Sequence, residues 1–203
     1  MHHTPRAPLL GAALLAAAPA CGPPPAGPPA EPSPPGEVRL LDLEGRGRPL
    51  ADELAPEATV LLFTAVDCPI SNAYAPEVAR LHADYAERGV GLLLVYSEPG
   101  LAADRIRRHV ADYAYPVPAR RDPELALARS VGASVTPEAA VLSPAGELLY
   151  RGRIDDRYLA FGQARREPGR RDLREALEAV LAGRPVAVPR TEAVGCSLPE
   201  AAR

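Results

Sequence analysis

Tryptophan and lysine are absent from this chain, and Phe, Trp and Tyr together make up only 4% of it. Without large aromatics the core must be assembled from Leu, Val and Ala. With no lysine, every strongly basic side chain is an arginine. Beside so much Ala, Pro and Gly this reads as coding bias, so no arginine is taken as functional on its type alone. Neither sign of charge dominates: the formal charge is −3, which gives no global attraction to nucleic acid or to an anionic membrane. There is no phosphate-cradling glycine loop, no Ser-His-Asp order, no clustered metal-ligand spacing and no internal repeat.

What is present centres on Val60-Leu-Leu-Phe-Thr-Ala-Val-Asp-Cys68-Pro-Ile-Ser71, an apolar run that ends in a cysteine where a helical pattern begins. A cysteine at a helix N-terminus meets unpaired N–H groups and the positive end of the macrodipole, which favour thiolate over thiol. Pro69 in the first turn fits a helix start. The bland alternative is a buried, inert cysteine. Asp67, directly before Cys68, either raises the thiol pKa through its charge or caps the helix.

At 203 residues the chain accommodates one core domain with extensions. Residues 1–21 have the anatomy of an export signal: His2, His3 and Arg6, an apolar stretch from Leu9 to Ala18, then small residues up to Cys21. The apolar stretch is too short for a permanent span. Leu15-Ala-Ala-Ala-Pro-Ala-Cys21 resembles a bacterial lipoprotein signal, which implies acylation of Cys21 and a protein held on a membrane outside the cytoplasm, periplasmic or facing outward. Residues 22–36 are a proline-rich tether, part of a run of nine prolines between positions 19 and 36.

From residue 37 onward strand and helix patterns alternate. Val38–Leu43, Thr59–Thr64 and Val90–Tyr96 read as strands. Tyr74, Val78, Leu81 and Tyr85 mark a helix kinked at Pro76 and closed at Gly89. Ile106, Val110 and Tyr113 mark a second helix. Asp122-Pro123 reads as the cap of a short helix that ends at Gly132. Ala139–Leu142 and Glu147–Arg151 read as a hairpin, and Asp172 as the cap of a last helix. The order implies an α/β domain, a central sheet with helices on both faces.

Cys68-Pro-Ile-Ser71 after a strand, the kink at Pro76, Val135-Thr136-Pro137 opening a hairpin and the closing helix together resemble the thioredoxin fold. More narrowly they resemble the redoxin (AhpC/TSA-like) group, which holds peroxiredoxins and exported thiol–disulfide oxidoreductases. The resemblance covers residues 37–185. It implies a central mixed sheet, a cis-proline at Thr136-Pro137 beside the active cysteine, Cys68 as attacking thiolate, and no cofactor. The expected partners are a protein or small-molecule thiol or disulfide, an unidentified electron donor, and a membrane through the lipid anchor, with no nucleic acid.

Two departures qualify the activity. Ser71 stands where the thioredoxin C-x-x-C motif has its second cysteine, so the usual disulfide cannot form. Leu61 and Ala65 stand where a peroxidase motif has Pro and Thr or Ser, which leaves peroxide reduction as the alternative to disulfide exchange. Apart from Cys21, the one remaining thiol is Cys196, in the tail of residues 186–203 beyond the last helix. Spaced apolar residues suggest that this tail packs back, and Gly195 would permit close approach. Cys196 is therefore the candidate resolving thiol for Cys68. A static disulfide, shared metal ligation such as copper handling, and no contact remain open. Arg153 with Asp155 or Asp156 is a candidate ion pair. Arg165, Arg166, Arg170 and Arg171 around Pro168-Gly169 read as a solvated turn or an anion site.

Overall fold

The structure, a computed structural model, describes residues 1–2 and 34–199. The signal segment, most of the proline-rich stretch and Cys21 lie outside the described residues. The end of that stretch, Pro35–Glu37, forms one turn of 3-10 helix.

Strands β1 (Arg39–Leu41) and β2 (Gly47–Pro49) form a short hairpin turned by Asp42, whose carboxylate accepts the Glu44 and Arg46 N–H groups. Next come β3 (Ala58–Phe63), α1 (Pro69–Ala73), α2 (Ala75–Tyr85), β4 (Val90–Tyr96), α3 (Ala103–Asp112) and β5 (Ala119–Arg121). Then follow α4 (Ala126–Val131), β6 (Val135–Thr136), β7 (Glu138–Leu142), β8 (Leu148–Gly152), β9 (Tyr158–Ala160), β10 (Gln163–Ala164), α5 (Asp172–Leu181) and β11 (Cys196–Ser197). Seven strands make the central sheet in the order β2-β1-β5-β4-β3-β7-β8. β3 and β4 pair in parallel, while β7 runs antiparallel to both β3 and β8, so the sheet is mixed.

The two central strands explain the layering. β3 is buried at every position, and alternate residues face opposite layers. Val60 and Leu62, with Leu92 and Leu94, meet Val78 and Leu81 of α2, Ile106 of α3 and Leu173 and Leu177 of α5. Leu61 and Phe63, with Leu93 and Val95, meet Leu127 and Val131 of α4, with Val38, Leu40 and Leu50. Helices thus cover both faces.

The Pro76 kink is a complete break: Tyr74 separates α1 from α2. A proline one residue into α2 lacks the N–H that a continuous helix needs there. Two caps differ from expectation. α4 begins four residues after Asp122, but the buried Asp122 carboxylate still accepts the Leu127 and Ala128 N–H groups across the intervening loop. Asp172 is the first residue of α5, not its cap, and is buried as the partner of Arg153 (2.7 Å).

Beyond α5 the tail returns along the domain. Pro189 O accepts the Arg151 N–H and Thr191 N–H donates to Arg151 O, so this segment runs beside β8. The Thr191 hydroxyl meets the Tyr150 hydroxyl at 2.7 Å and accepts the Arg153 N–H. Gly152 makes that approach possible: a Cβ there would lie 2.1 Å from Thr191 Oγ1 and 2.5 Å from its carbonyl oxygen, and its φ is +151°. Gly152→Ala is expected to lower stability by about 1–3 kcal/mol. Urea unfolding measures that loss, and limited proteolysis should cut residues 186–199 faster in the variant. Unchanged cleavage would mean that this contact does not hold the tail.

Candidate active site

Cys68 caps α1 with extended backbone (φ −90°, ψ 108°), at the end of the loop from β3. The Thr136–Pro137 peptide is cis and follows β6, and β11 pairs antiparallel with β6 so that Cys196 lies opposite Thr136. The fold therefore brings Cys68, Thr136, Pro137 and Cys196 into one place. The Cys68 thiol donates to Thr136 O at 3.1 Å. Thr136 Oγ1 donates to Cys196 O at 3.5 Å. Both Cys68 and Cys196 are free thiols; Cys68 is 1% exposed, and Cys196, half-buried, packs against the same core cluster.

Opposing forces act on the Cys68 sulfur. Burial disfavours its thiolate, but the Cys196 side chain, the Ser71 hydroxyl and N–H, and the Cys196 N–H all offer hydrogen bonds to it. These donors prevail and bring the pKa down to about 7, from an ordinary 9.0. Cys196 moves the other way: burial, its hydrogen bond to Cys68 and the charge on Cys68 push it up to about 11. The two thiols are thus separated into a nucleophile ionised near neutrality and a partner that stays protonated. Because α1 spans only five residues, the local donors, more than an extended helix dipole, carry this effect.

Ser71 sits one turn along from Cys68, 2% exposed, and its hydroxyl has no acceptor while Cys68 is protonated. Thr64, also buried, has an unpartnered hydroxyl as well. Such orphans are costly in a core, and a sulfur anion is an acceptor that the Ser71 hydroxyl lacks otherwise.

Asp67 plays neither expected part. Its side chain is 78% exposed, paired with Arg105 at 2.9 Å, and Cys68 itself occupies the cap position. A residue missed in sequence is Asn72. Its amide donates to Val66 O (3.2 Å), its Oδ1 meets His109 Nε2 (2.8 Å), and His109 Nδ1 meets the Tyr96 hydroxyl (2.8 Å). Asn72 Oδ1 can only accept, so Nε2 carries the proton and Nδ1 accepts from Tyr96. Burial holds His109 below its ordinary pKa, in keeping with a neutral ring. This chain of polar groups ties α1 to α3 and to the loop before Cys68. A polar residue directly after the motif was its only trace in sequence.

The charged segment after β8 is structural. Arg153 pairs with Asp172, not with Asp155 or Asp156. Asp155 accepts from the Tyr74 hydroxyl at the α1–α2 junction and from Arg157 N–H. Asp156 accepts the Gly169 and Arg170 N–H groups and pairs with Arg165, which closes the arginine-rich turn from within. Among the described residues, no three His, Cys, Asp or Glu side chains gather to hold a metal ion, and no helix is long and apolar enough to cross a membrane.

Titration separates the two sulfurs. Alkylation of the reduced protein, read by peptide mass, is expected to show Cys68 reactivity rising through about pH 7 and Cys196 reactivity only toward about 11. Asp67→Asn should leave the Cys68 midpoint in place, because the Asp67 carboxylate faces Arg105 and solvent. A midpoint that moved with Asp67 would return that carboxylate to the site.

No family model matches the chain, and no curated protein matches it. Solved structures do. A hypothetical protein from Sinorhizobium meliloti aligns with a TM-score of 0.70 at 24% identity, over 85% of this chain and 95% of its own. An uncharacterized conserved protein from Geobacillus kaustophilus aligns with a TM-score of 0.69 at 25% identity, over 86% and 98%. A secreted disulfide oxidoreductase from Mycobacterium tuberculosis, homologous to Escherichia coli DsbE, aligns with a TM-score of 0.50 at 15% identity, over 73% and 97%. The mixed sheet, the cysteine at the strand-to-helix turn, the cis-proline and these likenesses agree: the chain has a thioredoxin-like fold.

Proposed function

We propose that the protein is a thiol–disulfide oxidoreductase in which Cys68 attacks and Cys196 resolves. The observation that carries this reading is the pair of neighbouring free thiols with opposite pKa shifts, about 7 for Cys68 and about 11 for Cys196. Cys196 takes over the part for which Ser71 has no sulfur.

In the reducing direction the Cys68 thiolate attacks one sulfur of a substrate disulfide. A Cys68–substrate bond forms, the substrate S–S bond breaks, and the first substrate thiolate leaves. Cys196 then gives its proton to that thiolate and, as a thiolate, attacks the Cys68 sulfur. The Cys68–Cys196 disulfide forms and the second substrate thiolate departs. The substrate gains two electrons and the protein loses two; a dithiol donor restores the reduced pair by the reverse exchange. The Thr136 carbonyl accepts the Cys68 proton while the sulfur waits as a thiol.

The sequence supports the setting. An acylated Cys21 followed by a proline-rich tether would hold the domain on a membrane outside the cytoplasm, where disulfides persist. Mass analysis of the mature N-terminus tests that part: a diacylglyceryl-modified Cys21 supports it, and an intact Met1 refutes it.

Cys196→Ser tests the chemistry. Mixed with a model disulfide near pH 7, the wild type is expected to release both substrate thiols and to yield a 68–196 linked peptide on non-reducing mapping. The variant should release one thiol and stall as a mixed disulfide on Cys68. Release of both thiols by the variant, or no 68–196 peptide under any condition, would dismiss Cys196 as resolving thiol.

A further inference from the structure

The tail does more than carry Cys196. β6 has no strand partner other than β11 among the described residues, so its edge is occupied by this chain's own C-terminal segment. Cys196 pairs with Thr136, Ser197 pairs with Val135, and Leu198 N–H donates to Ser134 O at 2.9 Å. Val194 packs against one core cluster and Leu198 against the other, which fixes the segment on both sides of the cysteine. Gly195 passes so close to the cis-proline turn that a Cβ there would lie 2.0 Å from Thr136 O and 2.6 Å from its carbonyl carbon. While the segment is seated, Cys68 beneath it is 1% exposed.

A buried nucleophile cannot meet the disulfide of another molecule until its cover leaves. When the tail lifts, it frees a short strand edge with unpaired main-chain groups next to Cys68, the kind of edge that accepts an added strand. The segment that fits this edge is on view in the structure. We infer that the tail is a built-in competitor of the substrate, and that the edge Ser134–Thr136 takes an extended polypeptide segment in which glycine directly precedes the cysteine and apolar residues lie two positions to either side. The requirement for glycine follows from Thr136 O, which excludes any Cβ at that place; valine and leucine set the apolar positions. Return of the tail would then bring Cys196 to the Cys68 sulfur and expel the substrate segment from the edge in one movement.

This inference rests on the exchange reading for its purpose, but docking can be read without any exchange. The probe is a fluorescent peptide, Glu-Ala-Val-Gly-Ser-Ser-Leu, which copies the tail with serine for cysteine and so forms no disulfide. Gly195→Ala in the full chain places a Cβ where Thr136 O stands and is expected to unseat the tail. Leu198→Asp, which leaves the residues beside β6 intact, is a second way to the same end should the first variant misfold. Either variant is expected to bind the probe at least about tenfold more tightly than the wild type, an effect of about 1.4 kcal/mol on the seated-to-free equilibrium of the tail. Alkylation of Cys68 should accelerate by a similar factor. A probe with alanine for glycine should fail to bind. Equal affinity of wild type and both folded variants, or equal binding of the glycine and alanine probes, would overturn the inference. A protein that bound the probe but exchanged no disulfide would keep the docking edge and lose only the exchange reading.

Discussion

Two residues of strand pairing, Cys196 with Thr136 and Ser197 with Val135, hold the reactive centre together. They place a tail thiol, more than a hundred positions away along the chain, against the sulfur that caps α1. The pairing is possible because Gly195 carries no side chain where Thr136 O stands, and Gly152 repeats the device where Thr191 of the tail crosses β8. Small residues at two crossings thus set the position of a thiol that the usual motif would have supplied three residues further along, at position 71 in α1.

That position has an electrostatic consequence. Cys68 is buried, and burial alone would keep a thiol protonated. The donors that reverse the balance come from two places, Ser71 in the helix and Cys196 in the tail. The tail therefore both covers Cys68 and supplies part of what holds its thiolate. Access and reactivity are coupled through one segment, and the network from Val66 through Asn72 and His109 to Tyr96 keeps the helix beneath it in place.

Much of the framework was legible in the sequence because it rests on local signals. The apolar runs around Val60 and Val90 have strand length and suit the middle of a sheet covered on both faces, and Pro76 broke the helix where its missing N–H demanded. Thr136-Pro137 took the slot that the resemblance assigned to it. What escaped depended on partners distant in sequence. The strand Ala119–Arg121 is short and ends in two arginines, so no apolar pattern announced it. Asp67 seemed near enough to influence Cys68, but its rotation toward Arg105 depends on where α3 lies. Asp122 caps α4 across a loop instead of from its end. Arg153 passes over the two aspartates beside it and meets Asp172 at the start of α5. The tail showed that it would fold back, through its spaced apolar residues, but the strand it would join could not be read from spacing.

The most direct test of the central claim is an equilibrium one. The protein is brought to equilibrium in a graded series of reduced and oxidised dithiothreitol, quenched in acid, and the 68–196 linked peptide is quantified by mass spectrometry. A paired nucleophile and resolving thiol must appear as one two-electron transition, with a slope near 29.6 mV per tenfold change in the ratio. If each cysteine instead takes up the reagent separately, and the linked peptide stays absent across the series, the two sulfurs do not work as a pair.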